Sequence, residues 1–177
     1  VPWQPGETVS SSIGQSYVST TPIQMAKLIS AVFNGGKLYQ PKIVRHIGNE
    51  IDDVYRFTPA LTGELSVRRE NLELLKKALI SVVNDPQGTG ASARIQGIRV
   101  AGKTGTAQVV SLEKTKDLDP DTEVPGDFED HAWFVAIAPA ENPQIAIAVL
   151  IEHGGHGSSG AAPIARDLIK KYLNIDK

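Results

Sequence analysis

No cysteine occurs among the 177 residues, which excludes disulfides and thiolate metal sites and leaves the redox compartment open. No basic run occurs either, and a formal charge of -2 leaves no electrostatic footprint for nucleic acid. Apolar runs stop well short of the roughly 20 residues needed to cross a bilayer. The opening Val1-Pro2-Trp3 has no Met, charged leader segment or apolar leader core, so the chain is expected to be a piece of something longer. What is present is enough residues for one globular domain, or most of one, with a substantial core.

Residues 1–20 are rich in Ser, Gly and Pro and read as loop. Thr21-Pro22-Ile23-Gln24 then supplies an N-cap, a proline at the first helical position and a Gln three residues after the cap. Met25, Leu28, Ile29 and Val32 share one helical face, and Asn34-Gly35-Gly36 tolerates the positive φ of a helix end. A helix is therefore predicted over 22–33. Ile43, Val44, Ile47, Ile51, Val54, Tyr55 and Phe57, around Gly48-Asn49, predict a hairpin over 42–57. Leu72, Leu75, Leu79 and Val82 predict an amphipathic helix over 68–83, closed by Asn84-Asp85-Pro86.

Three strands are predicted next, over 98–110, 132–138 and 144–152. In the last, Ile145, Ile147, Val149 and Ile151 alternate with Ala146, Ala148 and Leu150, so both faces are apolar and the small side chains leave room for a helix. The acidic stretch 117–130 reads as a solvated loop. Ala162-Pro163 opens a final helix through Leu173, with Ile164, Ala165, Leu168 and Tyr172 inward and Lys170-Lys171 near its negative end. Successive strands without intervening helices pair antiparallel. The class is α+β, an antiparallel sheet flanked by helices.

The segment "GIRVAGKTGTAQV", residues 97–109, carries two motifs that exclude each other. Gly97 to Thr104 spells the G-x-x-x-x-G-K-T of a phosphate loop. Such a loop needs a strand before its first Gly and a helix beginning at the Lys. Upstream stands "GTGASARIQ", which is no strand; the loop interior, Ile98 to Ala101, is β-like; and Gly105 would fall in the first helical turn. The local sequence offers a strand instead. On a strand, Lys103, Gly105 and Ala107 point to one face and Thr104, Thr106 and Gln108 to the other, though local twist can bring both Lys and Thr to the rim. A cation and two hydroxyls so placed suit a carboxylate, and Gly105 lets an extended peptide lie alongside as an added strand.

Lys103-Thr104-Gly105 is also the K-T-G of serine enzymes that react with penicillin. With "GKTGTAQVV", "HAWFVAIAPAENPQIAIAVLIEHGGHG", "SSGAAPIARDLI" and "SIGQSYVSTTPIQMAKLISAVFNGG", in that order, the chain resembles the C-terminal half of the transpeptidase domain of class B penicillin-binding proteins. The similarity is greatest to the elongation-type penicillin-binding protein 2 branch. It covers nearly all of residues 1–177, which are expected to form the C-terminal part of one such domain.

The resemblance implies a β-lactamase-like fold with a five-stranded sheet, of which only the last three strands lie here, leaving an apolar sheet edge and a core face to be covered. It implies peptidoglycan D,D-transpeptidase activity: a serine attacks the D-Ala-D-Ala end of a stem peptide, D-Ala leaves, and a neighbouring amine resolves the acyl-enzyme. Peptidoglycan stem peptides and β-lactams are the implied ligands, and a membrane glycan polymerase of the elongation machinery the implied partner. The implied location is the extracytoplasmic face of the bacterial inner membrane, with the anchor outside this chain.

The family's S-x-x-K and S-x-N motifs mark a departure. "SLEK", Ser111 to Lys114, follows K-T-G by a few residues and opens into a charged loop, so it reads as chance; no S-x-N occurs. The nucleophile is expected on chain absent here, leaving this piece inactive alone. By position, Lys103 is implied as a charged donor in the catalytic network and Thr104 and Thr106 as holders of the donor carboxylate. Gly105 is the open approach, and the Thr106 N-H one of two oxyanion donors. His153 and His156, in "EHGGHGSSG", read as a strand-to-helix connection rather than metal ligands, and no cofactor is expected. His131 lies at the start of the strand after the acidic stretch, where Trp133 reads as packing. "GTG", residues 88–90, resembles a family loop element before the K-T-G strand. A non-catalytic penicillin-binding sensor or scaffold and a nucleotide-binding module are the alternatives.

Overall fold

A computed structural model describes residues 2–48, 52–109 and 129–175. Its centre is a three-stranded antiparallel sheet in the order β5-β6-β7, formed by β5 (Ala101–Ala107), β6 (His131–Ala138) and β7 (Ile145–Ile151). Lys103 lies opposite Val135, Gly105 opposite Trp133 and Phe134 opposite Val149. Strand periodicity sends alternate residues to two different cores. Phe134, Ala136, Ile147 and Val149 face helix α4 (Ala162–Leu173), whose Ala162, Ala165 and Ile169 are buried against them. Ala101, Val135 and Ile137 face α2 (Pro22–Phe33) and α3 (Arg69–Asn84), meeting Ile29, Val32 and Leu79. Ala146 and Ala148 of β7 lie on this second side, where their small side chains let α2 approach.

Helix α2 begins as predicted. Thr21 accepts from the Gln24 N-H, the Gln24 side chain answers the Thr21 N-H, and Pro22 occupies the first turn. It ends at Asn34, which clasps the Lys37 backbone through both amide atoms, followed by Gly35 and Gly36 at φ 86° and 98°. The predicted hairpin is present as β2 (His46–Gly48) paired with β3 (Asp53–Arg56). An outer pair, β1 (Lys37–Tyr39) with β4 (Leu61–Glu64), flanks it.

Three expectations need correction. Residues 5–12 are not loop but helix α1 (Pro5–Ser12). Proline at its first position and Gly14 at its end are the punctuation that a Ser-rich composition hides. The strand predicted from residue 98 begins at Ala101, because Gly97, at φ 87°, turns the chain so that Ile98 bridges back to Ile95. Finally, α4 buries Ala165 but leaves Ile164, Leu168 and Tyr172 41%, 51% and 57% exposed. The helix is apolar over two stripes; the sheet takes the 162/165/169 stripe, while Ile164 and Leu168 border a hollow along β7. The stretches "SLEK" and 117–128 lie outside the described residues.

The hand-over from α3 to β5 positions the site. Asn84, at the last turn of α3, donates its Nδ2 to the carbonyls of Ile80 (2.6 Å) and Val100 (2.8 Å), and Val100 is fully buried. Replacing Asn84 by Ala leaves that carbonyl unpaired. The expected cost is about 1–3 kcal/mol, read in the intact protein as a lower denaturant midpoint at unchanged slope.

Candidate active site

Strand β5 pairs with β6 along one edge only, so among the described residues its other edge is open. That edge and the face carrying Lys103 and Gly105 border a hollow of about 620 Å³ between the sheet and the helices. Met25, Leu28, Leu75 and Leu79 form its apolar wall, while Lys103 to Ala107, Trp133 and His131 form the other. Leu28 and Leu75 are 45% and 43% exposed, so apolar surface that helical periodicity assigns to a core stands uncovered here.

The extended conformation of residues 101–107 settles the conflict over K-T-G. A phosphate loop requires a helix starting at Lys103; Lys103 is instead a ladder residue opposite Val135, and the nucleotide reading is excluded. Lys103 is exposed, and its Nζ donates to the Thr104 carbonyl at 2.7 Å and lies 3.5 Å from Thr104 Oγ1. Thr104 Oγ1 also pairs with Thr89 Oγ1 at 3.1 Å, which draws the "GTG" loop to the strand. Gly88 and Gly90 allow this approach: a Cβ at Gly88 would stand 2.3 Å from the Val82 carbonyl oxygen, and one at Gly90 3.2 Å from Phe134. Arg94 holds the same turn by donating to the carbonyls of Val83 and Asp85.

Two further contacts shape the groove. Gln15, after α1, donates its Nε2 to the Thr106 carbonyl at 3.1 Å, a residue sequence reasoning missed. Its available signal was Gly14, whose φ of 80° ends α1 and turns Gln15 away from the helix axis. The loop after β7 presses on β5 through Gly157, where a Cβ would meet the oxygens of Trp133 and Gly105 at 2.3 and 2.5 Å. Trp133 itself lies across from Gly105 and lines the hollow, so it packs and forms wall at once.

The same loop is tied to the entry of β6. The His153 N-H donates to His131 Nδ1 at 3.0 Å, and the two rings meet edge to face. His153 Nδ1 pairs with the Glu129 carbonyl at 3.1 Å, and the Gly155 N-H donates to the Asp130 carbonyl at 2.9 Å. These histidines therefore act as fasteners, and no group of three metal-ligating side chains occurs among the described residues. Among the described residues, the shifted ionisations lie away from the groove. A hydrogen bond from Lys76 holds the Glu73 carboxyl below the usual range, and Arg166 and Asp167 hold each other charged.

An α+β fold with a K-T-G strand open along one edge of a groove defines the class of serine enzymes and receptors that react with penicillin. The chain belongs to the penicillin binding protein transpeptidase domain family, whose model matches residues 2–170. It is 38% identical over 175 residues to the peptidoglycan D,D-transpeptidase MrdA of Haemophilus influenzae, covering 98% of this chain and 27% of that protein. Among solved structures, the penicillin G acyl-enzyme complex of penicillin-binding protein A from M. tuberculosis aligns with a TM-score of 0.69 at 28% identity. That alignment covers 93% of this chain and 34% of that one. The complex of PBP2 with MreC from Helicobacter pylori aligns with a TM-score of 0.73 at 29% identity, over 99% of this chain and 29% of that one. The chain thus spans about a quarter of the length of the curated relatives it matches.

Proposed function

We propose that residues 1–177 form the C-terminal part of one penicillin-binding transpeptidase domain, and that the whole protein is a peptidoglycan D,D-transpeptidase of the elongation type. The observation that carries this reading is the open edge of β5, with Lys103, Thr104, Gly105 and Thr106 beside an apolar hollow. Uncovered Leu28 and Leu75 in that hollow, and Ile164 and Leu168 beside β7, mark the surfaces where the rest of the domain would pack.

In the assembled site a serine Oγ from the upstream S-x-x-K attacks the carbonyl carbon between the two D-alanines, its proton passing to that motif's lysine. The oxyanion is held by the Thr106 N-H and by the N-H of the serine itself. Collapse breaks the C-N bond, D-Ala leaves with a proton on its amine, and an acceptor amine of a second stem peptide displaces the serine. Thr104 and Thr106 hydroxyls bind the donor carboxylate, and Lys103 supplies positive charge beside it. β-Lactams enter by the same route and stall at the acyl-enzyme, as the relative from M. tuberculosis does with penicillin G. The domain lies on the extracytoplasmic face of the inner membrane, where it serves a membrane glycan polymerase. No described helix is long and apolar enough to cross a membrane.

Fluorescent penicillin tests this. The intact protein should be labelled on a serine outside residues 1–177 and should cross-link stem peptides. The isolated 177-residue chain should stay unlabelled. Labelling without cross-linking would identify a sensor, and no labelling of the intact protein would overturn the assignment.

A further inference from the structure

Gln15 is half-buried whereas Ile13, Gly14 and Ser16 beside it are exposed, and its position is set with unusual care. The Gln15 N-H donates to the Ser10 carbonyl and the Gly14 N-H to the Ser11 carbonyl, at 3.0 and 3.1 Å. With Gly14 in the left-handed region, this is a Schellman end to α1. That motif places a residue just past the helix whose side chain is often apolar and folds back on the helix. Here it is a carboxamide directed across to a strand 91 positions away. Ser16 comes next at φ 65°, a strained value for a residue with a Cβ, and its hydroxyl is fastened to the Glu7 carboxylate.

What Gln15 reaches is the Thr106 carbonyl. The N-H and C=O of one strand residue leave on the same side, so a carbonyl available to Gln15 marks Thr106 as directing both groups to the open edge. An extended peptide added to that edge donates an N-H to this carbonyl. The amide nitrogen of Gln15 stands where such a donor would stand.

We propose that Gln15 is a specificity-determining residue that occupies the amide-recognition position of β5 and is displaced by the N-H of an acyl donor. The inference rests on reading β5 as the donor groove. Its consequence is selectivity. A donor carrying an amide N-H beside its reacting carbonyl replaces the Gln15 contact, whereas a donor without one neither removes it nor gains from its removal.

The test uses the intact protein and second-order acylation rates for two β-lactams: benzylpenicillin, whose side chain has an amide N-H, and imipenem, whose hydroxyethyl group has none. Gln15→Met keeps the length and removes the donor. It should raise the benzylpenicillin rate about 3- to 10-fold and leave the imipenem rate within about twofold, and Gln15→Ala should move both in the same way. An unchanged ratio of the two rates, or a fall in the benzylpenicillin rate alone, overturns the inference and spares the parent reading. Failure of both compounds to acylate the unaltered protein overturns both.

Discussion

Thr106→Pro acylates about 10²- to 10³-fold more slowly than Thr106→Ala in the intact protein. Both variants lose the hydroxyl proposed to hold the donor carboxylate, so the comparison removes that effect. They differ in the N-H, which Ala keeps and Pro lacks. Thr106 directs its backbone groups to the open edge of β5, where the Gln15 contact finds its carbonyl. Proline there breaks no bond to β6, and edge strands tolerate it. Gly105 is already extended, as a residue before proline must be. The thermal midpoints of the two variants should therefore stay within a few degrees of each other, while the rates separate. Equal acylation rates would mean that the Thr106 N-H does not face the developing oxyanion.

Gly157→Ala is the second large effect, and it reaches the site through the loop after β7. A methyl at Gly157 would stand 2.3 Å from the Trp133 oxygen, 2.5 Å from the Gly105 oxygen and 3.0 Å from the Gly105 nitrogen. All three are backbone atoms in the β5-β6 ladder, which cannot step aside as a flexible side chain can. Either the loop lifts, breaking the fasteners from His153 to His131 and from Gly155 to Asp130, or β5 shifts at the glycine of K-T-G. Overpacking of this kind costs about 3 kcal/mol, seen as a lowered unfolding midpoint. Because two of the three crowded atoms belong to Gly105, β5 is expected to shift, and the folded fraction should also acylate at least about tenfold more slowly. A variant that unfolds earlier but acylates normally would place the strain wholly in the loop.

Much of the molecule was legible because its signals are local. Thr21, Pro22 and Gln24 start α2 by filling its orphan donors, and Asn34-Gly35-Gly36 end it. Alternation in 144–152 described a strand apolar on both faces, and two helical layers cover the sheet it belongs to. Extended character at Lys103 to Thr106 came from Gly105 and the absence of helical periodicity, two local features that are incompatible with a phosphate loop.

Other features depended on partners distant in the chain. Helix α1 has no buried residue, so no apolar period announced it. Gln15 gave no sign of meeting Thr106, because only the turn at Gly14 aims it. The choice between the two apolar stripes of α4 was likewise invisible: Ile164, Leu168 and Tyr172 are as hydrophobic as Ala162, Ala165 and Ile169, and the sheet accepts the stripe whose small residues allow close packing.

Sequence by itself determined the elements other than helix α1 and the β1-β4 pair, their order, the extended K-T-G strand and the family, because caps, periodicity and short motifs act over a few residues. Tertiary structure decided which apolar stripe is buried, which edge of β5 is open, and which side chains, Thr89 and Gln15, meet that strand from outside it. Those outcomes depend on packing and on hydrogen bonds closed across long loops, and no local pattern encodes them.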